Sequence, residues 1–544
     1  MTMTLNKTML ALSASFLLFG CGGTALVSTP IENIDTLPLK TSELAEVEKK
    51  NWGHLDLLTD TIPGMSVDKA YSDILQNKKG ERVIVAVLDA GMDLTHEDLV
   101  NVLWVNEGEI PGNNKDDDNN GYVDDVHGYN FLGDSYNEQL EMTRIVSLKL
   151  GDAALQAEAK SKLDKDYQKA LQNKQRYEQI YQAVKNADSE VKTLLGKDNY
   201  SKEDLAAIKT ENEAMLGNVG ILTQMLSIKD SISEVLEELN SGITYFSDQL
   251  NYNLNLDFNG RTIVGDDPYD ITDTKYGDGN PQSRQEDESH GTHVAGIIAA
   301  ERNNGKGANG VANNVAIMSI RAVPNGDEYD KDIALGIRYA VDNGAKIING
   351  SFGKSFSPNA EWVYDAIKYA AENDVLFVHA AGNSSEDLDN PKNPNFPNDQ
   401  INNGPEMADN VITVGALNSK YGSEMIASFS NYGAINVDVF APGNAIYSTM
   451  PGNKYDFQGG TSMAAPAVAG VAALIMSYYP DLTASQVKKI IMQSGLTTKA
   501  KVIVGGDSDT PKSFKEISKS GKMVNAYNAL IMAEAVSKGK LKLQ

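Results

Sequence analysis

Six stretches of nearly unbroken apolar residues punctuate the chain: "RVIVAVLDAGMD", "VAIMSIRAV", "AKIINGS", "VLFVHAAGN", "VITVGAL" and "VDVFAPG". A strand with one wet face alternates apolar and polar residues. Runs without that alternation belong to strands buried on both faces, as in a parallel sheet covered by helices. Segments of helical pattern lie between them, such as "DKDIALGIRYAVDNG" and "AEWVYDAIKYAAENDV". The spacing predicts an α/β fold with a mostly parallel central sheet and helices on both faces. In such a fold, function gathers at the carboxyl ends of the strands.

One segment breaks the rhythm. Residues 136–250 are rich in Lys, Glu, Gln, Leu and Ala and contain no proline, which predicts a long helical insertion with a restart at Ser201, capped with Asp204 three residues on. The organisation read from the chain is a signal peptide over residues 1–20, a tether and short leading helix over 21–77, the main domain over 78–135 and 251–544, and the insertion over 136–250. The signal-peptide reading rests on Lys7, the apolar run Met9 to Phe19 and Gly20-Cys21, a run too short for a membrane span. The stretch Leu18-Phe19-Gly20-Cys21 resembles the lipobox of bacterial lipoproteins, which implies acylation of Cys21 and a membrane-anchored, exported protein facing the periplasm or the exterior. Cys21 is the only cysteine, so no internal disulfide can form. A net charge of -26 repels phosphate backbones and anionic lipid, which argues against nucleic-acid binding.

The stretch "SHGTHVAG" sets His290 and His293 three residues apart, on one face of a helix. Such a pair can be zinc ligands, a general base with a packing neighbour, or core filling. Zinc hydrolases usually carry a carboxylate with the pair, and Gly291 and Thr292 supply none. Two further loops carry chemistry: Asp89 ends "VLDAGMD", and Ser462 sits in "GGTSMAAPAVAG". A serine hydroxyl becomes a nucleophile when an imidazole takes its proton. The imidazole in turn needs a carboxylate to fix its tautomer and stabilise its cation.

The order Asp, His, Ser, with all three surrounding motifs, resembles the subtilisin-like serine proteases, the subtilases. The resemblance runs from about Val83 to the end, outside the insertion. It implies a subtilisin-like fold, Asp89 as orienting acid, His290 as general base then acid, Ser462 as nucleophile and His293 as a structural residue. "HAAGNSS" then makes Asn383 the side-chain donor of the oxyanion hole, and "NGSFG" makes Ser351, Phe352 and Gly353 the strand beside which substrate lies. The family usually has Ser or Thr after the catalytic aspartate; Ala90 stands there and leaves Asp89 one donor short.

In "NNKDDDNNGYVDDVHGYN", Asp116, Asp118 and Asn120, then Gly121, the Tyr122 carbonyl and Asp124, follow the first part of a calcium loop. His127 stands where an EF-hand places its bidentate glutamate, so the match is partial. Because subtilases often stabilise surface loops with calcium, the reading is a structural calcium site, against the plainer one of a solvated acidic turn. His379, inside an apolar run, reads as a core residue. The expected function is a lipid-anchored serine endopeptidase acting on proteins or peptides. Its rival is a catalytically weak or inactive subtilase-scaffold binding protein that holds a protein partner on the insertion.

Overall fold

A computed structural model describes residues 34, 35, 40 and 42–543; the signal peptide and Cys21 lie outside the described residues. Seven parallel strands form the central sheet: β1 (Val83–Asp89), β2 (Gly128–Asn130), β3 (Val315–Arg321), β4 (Ile347–Gly350), β5 (Leu376–Ala380), β6 (Val411–Leu417) and β7 (Val439–Pro442), in the order β2-β3-β1-β4-β5-β6-β7. All six apolar runs are strands of this sheet. Their continuity has the expected cause. Val83, Val85 and Val87 of β1 pack toward the helices His290–Ala299 and Thr461–Tyr478, whereas Ala86 and Leu88 pack toward Asp330–Asp342 and Ala360–Glu372.

From β1 the chain passes to β2 and β3 on one side, then crosses to β4 on the other. The carboxyl ends of β1 and β4 therefore flank a topological switch point, where open parallel sheets hold their ligands. The helix Thr461–Tyr478 runs under the sheet there. It is long and apolar enough to cross a membrane, yet every residue in it is buried except Ser462 and Tyr478. Its run of Ala and Gly permits that close packing.

Residues 42–65, read as part of a tether, instead pack on the body: Trp52, Leu57, Ile62 and Met65 are buried, and Trp52 Nε1 donates to the Ala445 carbonyl at 3.1 Å. Their apolar residues are too scattered to show a period, because this segment meets the core one side chain at a time. The antiparallel hairpin β8 (Ile446–Met450) and β9 (Lys454–Gln458) also lacked a sequence signal; its faces are mostly half-exposed.

The insertion is helical, as its composition predicts. Its longest helix, Ala153–Leu195, has 43 residues, about 65 Å at 1.5 Å per residue, and is capped by Asp152 and Gly196. The helices Glu213–Leu226 and Ile232–Asp248 pack back along it. One cluster at the far end joins Val184, Val191, Leu222 and Val235; another at the base joins Met142, Ile145, Leu163 and Leu254 to Phe356 of the main body. The base is also pinned by buried charge. Lys354 Nζ donates to Glu141 Oε2 at 2.7 Å, and Arg144 donates to the carbonyls of Asp327 and Glu328 at 2.8 and 3.1 Å. Ions this deep owe their tolerance to being paired and hydrogen-bonded.

Candidate active site

Asp89 is the last residue of β1 and is 1% exposed, while His290 begins the helix His290–Ala299, 201 residues later. Gly291 lets the two meet: a Cβ there would stand 2.5 Å from the Ala90 carbonyl oxygen. His290 Nδ1 donates to Asp89 Oδ1 at 2.6 Å. Burial works against the imidazolium, but the charge and hydrogen bond of Asp89 outweigh it and hold the His290 pKa above its ordinary 6.5. With 36% of the side chain open to the cleft, water relieves part of that burial.

Asp89 Oδ1 also accepts from the Ala90 N–H at 2.7 Å, but Oδ2 is buried with no hydrogen-bond partner. This is the donor that Ala90 was expected to leave missing. Ala90→Ser should supply it, and two changes are expected. The melting temperature rises as an orphaned acceptor worth about 1–3 kcal/mol is satisfied. The acid limb of the pH–rate profile, which for the wild type titrates above 6.5, moves to lower pH, because a carboxylate shared with a hydroxyl attracts the imidazolium less. A melting temperature and an acid limb both unchanged from wild type would contradict this.

Ser462, the half-exposed residue of an otherwise buried helix, presents its hydroxyl at the cleft. Oγ donates to the Ser351 carbonyl at 3.1 Å, and Ser351 Oγ donates to the Ser462 carbonyl at 2.9 Å. The hydroxyl is thus turned to the strand after β4, and rotation about its Cα–Cβ bond is needed to engage His290; such bonds are often unmade without substrate. Asn383 lines the same cavity of about 270 Å³ as Ser351, Phe352, Gly353 and Ser462. Its Oδ1 accepts from the N–H and hydroxyl of Thr461 at 2.8 and 3.0 Å, and Thr461 Oγ1 accepts from Gly382 N–H at 2.9 Å. With its oxygen held, the amide keeps its NH₂ donor for an oxyanion. Gly382, at φ +96°, makes the turn that carries Asn383 there.

Two positioning groups had no sequence signal. Thr461 orients Asn383 from 78 residues away. Glu288, buried, accepts from Gly91 N–H at 2.9 Å and from Arg321 Nε at 2.6 Å, which ties the segment before His290 to the loop after Asp89 and to β3. His293 is buried and structural: its Nε2 bonds the Asp456 carbonyl at 3.2 Å, and burial pushes its pKa down to about 4. His379 is a core residue whose Nε2 bonds the Phe352 carbonyl at 2.8 Å; burial likewise holds it near 4.

The acidic loop is assembled otherwise than its linear pattern implies. Of Asp116, Asp118, Asn120, Tyr122 and Asp124, only Asp118 joins the carboxylate cluster, which it shares with Glu109 and Asp125, with ligand atoms within 4.8 Å of one another. Asn120 adjoins it, its Nδ2 donating to Asp118 and Asp125 at 3.3 and 3.1 Å. Asp116 is taken by the N–H groups of Asn120 and Gly121, and Asp124 by those of Gly112, Asn113 and Asn114. The Tyr122 ring packs against Tyr129 and Tyr339. The cause is the tight turning of the loop, with Asn119, Gly121 and Asp124 all at positive φ, which folds alternate carboxylates back on their own backbone. Glu109 is 7% exposed and its Oε2 has no partner. Three carboxylates converging with an orphaned buried oxygen fit a hard dication.

Residues 80–514 match the subtilase family. A thermophilic serine proteinase of Bacillus sp. (strain AK1) is 42% identical over 222 residues, 41% of this chain and 48% of that protein. Subtilisin DY of Bacillus licheniformis is 42% identical over 201 residues, 37% of this chain and 67% of its own. Thermitase of Thermoactinomyces vulgaris is 36% identical over 222 residues, covering 41% and 70%. The chain thus spans about half the length of the first of these relatives.

Proposed function

The chain belongs to the subtilase family, and on that premise we propose that it is an exported serine endopeptidase cutting protein or peptide substrates through Asp89, His290 and Ser462. The observation that carries the reading is the 2.6 Å bond between His290 and a buried Asp89, beside an exposed serine on a buried helix. In the proposed cycle Ser462 Oγ attacks the scissile carbonyl carbon as His290 Nε2 takes its proton. Asn383 Nδ2 and the Ser462 N–H bind the oxyanion, and His290 returns the proton to the departing amine. Water then hydrolyses the acyl-enzyme by the same proton route. Labelling by a fluorophosphonate probe tests this: wild type reacts and Ser462→Ala does not. A folded wild type that takes no label leaves only the rival, a binding protein on this scaffold.

Calcium is the dication proposed at Glu109, Asp118 and Asp125, where it would hold the loop before β2. An ion bound by the native state alone stabilises it by about 3 kcal/mol at 100 times its Kd. Chelation is therefore expected to lower the melting temperature by several degrees, and Glu109→Gln to melt like chelated wild type. Equal melting with calcium and with chelator removes the site. The lipid on Cys21, and with it a periplasmic or cell-surface location, rests on the resemblance of residues 18–21 to a lipobox. Membrane partitioning that Cys21→Ser abolishes is its check.

A further inference from the structure

A cavity of about 810 Å³ opens in front of His290, and the insertion supplies part of its wall. Tyr245, on the helix Ile232–Asp248, and Tyr136, just before the insertion's first helix, face Val323 and Phe352 across it. Tyr245 is held there from behind: the neighbouring Phe246 packs at the insertion base and against Tyr177 at 5.5 Å. The loop forming the opposite wall is fixed by Arg144, which donates to the carbonyls of Asp327 and Glu328.

A peptide extended along Ser351 to Gly353 points successive side chains to opposite sides. The residue bearing the scissile carbonyl then enters the cavity of about 270 Å³ beside Asn383. The residue before it enters the larger cavity beside His290. That cavity carries two tyrosine rings and an acidic edge, and no lysine or arginine lines it. Glu288 is committed to Arg321, and Glu328 stands beside Lys354. Asp287 remains exposed, steadied by the Tyr136 hydroxyl. Asp248, one turn beyond Tyr245, is raised above its ordinary value by partial burial and then by the charge of Asp287, so the two carboxylates face one another unneutralised.

We propose that this cavity is the subsite for the residue preceding the one cut, and that it selects lysine or arginine. The aliphatic stem lies along Val323 and Phe352, and the cation sits between the face of Tyr245 and Asp287. The inference deepens the protease reading and rests on it. A cation over an exposed ring and a solvent-screened ion pair are together worth a preference of about five- to tenfold.

The test uses the full chain and fluorogenic peptides identical except for Lys, Leu or Glu at that position. The expected order of kcat/KM is Lys, then Leu, then Glu, with the Lys:Leu ratio falling toward one in Tyr245→Ala and in Asp287→Asn. Asp287→Lys is expected to invert the order in favour of Glu, an outcome a merely structural role would not produce. Since the ratio is read within each variant, a general loss of activity does not disturb it. Equal cleavage of all three peptides by wild type, or ratios unmoved by all three variants, overturns the subsite and leaves the protease standing. Cleavage of none, with no fluorophosphonate labelling, overturns the protease reading and the subsite with it.

Discussion

Ser462→Ala is expected to lower kcat on the order of 10⁶-fold, the scale of loss in subtilisin when its serine is removed. The hydroxyl is the only group at the cleft that the proposed mechanism lets bond to the acyl carbon, and nothing else in the cavity beside Asn383 can replace it. The fold should tolerate the change. Oγ has a single hydrogen bond, to the Ser351 carbonyl, and the helix beneath it is held by buried neighbours on every turn. A stability change within about 1 kcal/mol follows. His290→Ala should cost as much in kcat, and the double variant little more, because base and nucleophile act as one unit. The check is kcat on a peptide ester with folding verified by melting. More than 1% of wild-type turnover in Ser462→Ala would refute the assignment.

Asn383→Leu is expected to cost about 100- to 1,000-fold in kcat with KM little altered. The scale is that known for the corresponding asparagine of subtilisin. The split between kcat and KM follows from geometry: the amide donor aims at charge that exists only in the transition state. Asn383 has a second task, since its Oδ1 satisfies the N–H and hydroxyl of buried Thr461. Leu at this position leaves both unpaired, so a stability loss of about 1–3 kcal/mol should accompany the kinetic one. Asn383→Asp separates the two effects. It keeps the acceptors for Thr461, removes the donor and adds a negative charge, so it should melt nearer to wild type while turning over no faster than the Leu variant. A raised KM at unchanged kcat would place Asn383 in ground-state binding instead.

The sheet could be read from the chain because a strand buried on both faces has to be apolar throughout; β1, β3, β4, β5, β6 and β7 all carry that mark. β2, at three residues, is too short to show any period, and the hairpin β8–β9 is too exposed to need one. The residue types of the candidate triad were legible for a chemical reason: they sit in short segments whose neighbours must be small or turning, such as Gly291 after His290. The expected shortage of a donor at Asp89 was legible too, because the missing hydroxyl is adjacent in sequence to the carboxylate it would serve.

What the sequence could not show is what pairs across distance. Glu288 meets Arg321, Thr461 meets Asn383, and Lys354 meets Glu141, at separations of 33, 78 and 213 residues. Nothing local to either partner specifies the other. The carboxylate cluster was misassigned within its own loop for a related reason, since backbone turns decided which of its side chains were free. The insertion's composition determined that it is helical, through propensity summed over many residues. That its last helix brings Tyr245 to the cleft was decided by where the insertion base packs. The sequence by itself determined the elements and the chemical groups available, because these follow from local periodicity and residue type. Only the tertiary structure decided which groups meet, because strand order and helix packing set those distances.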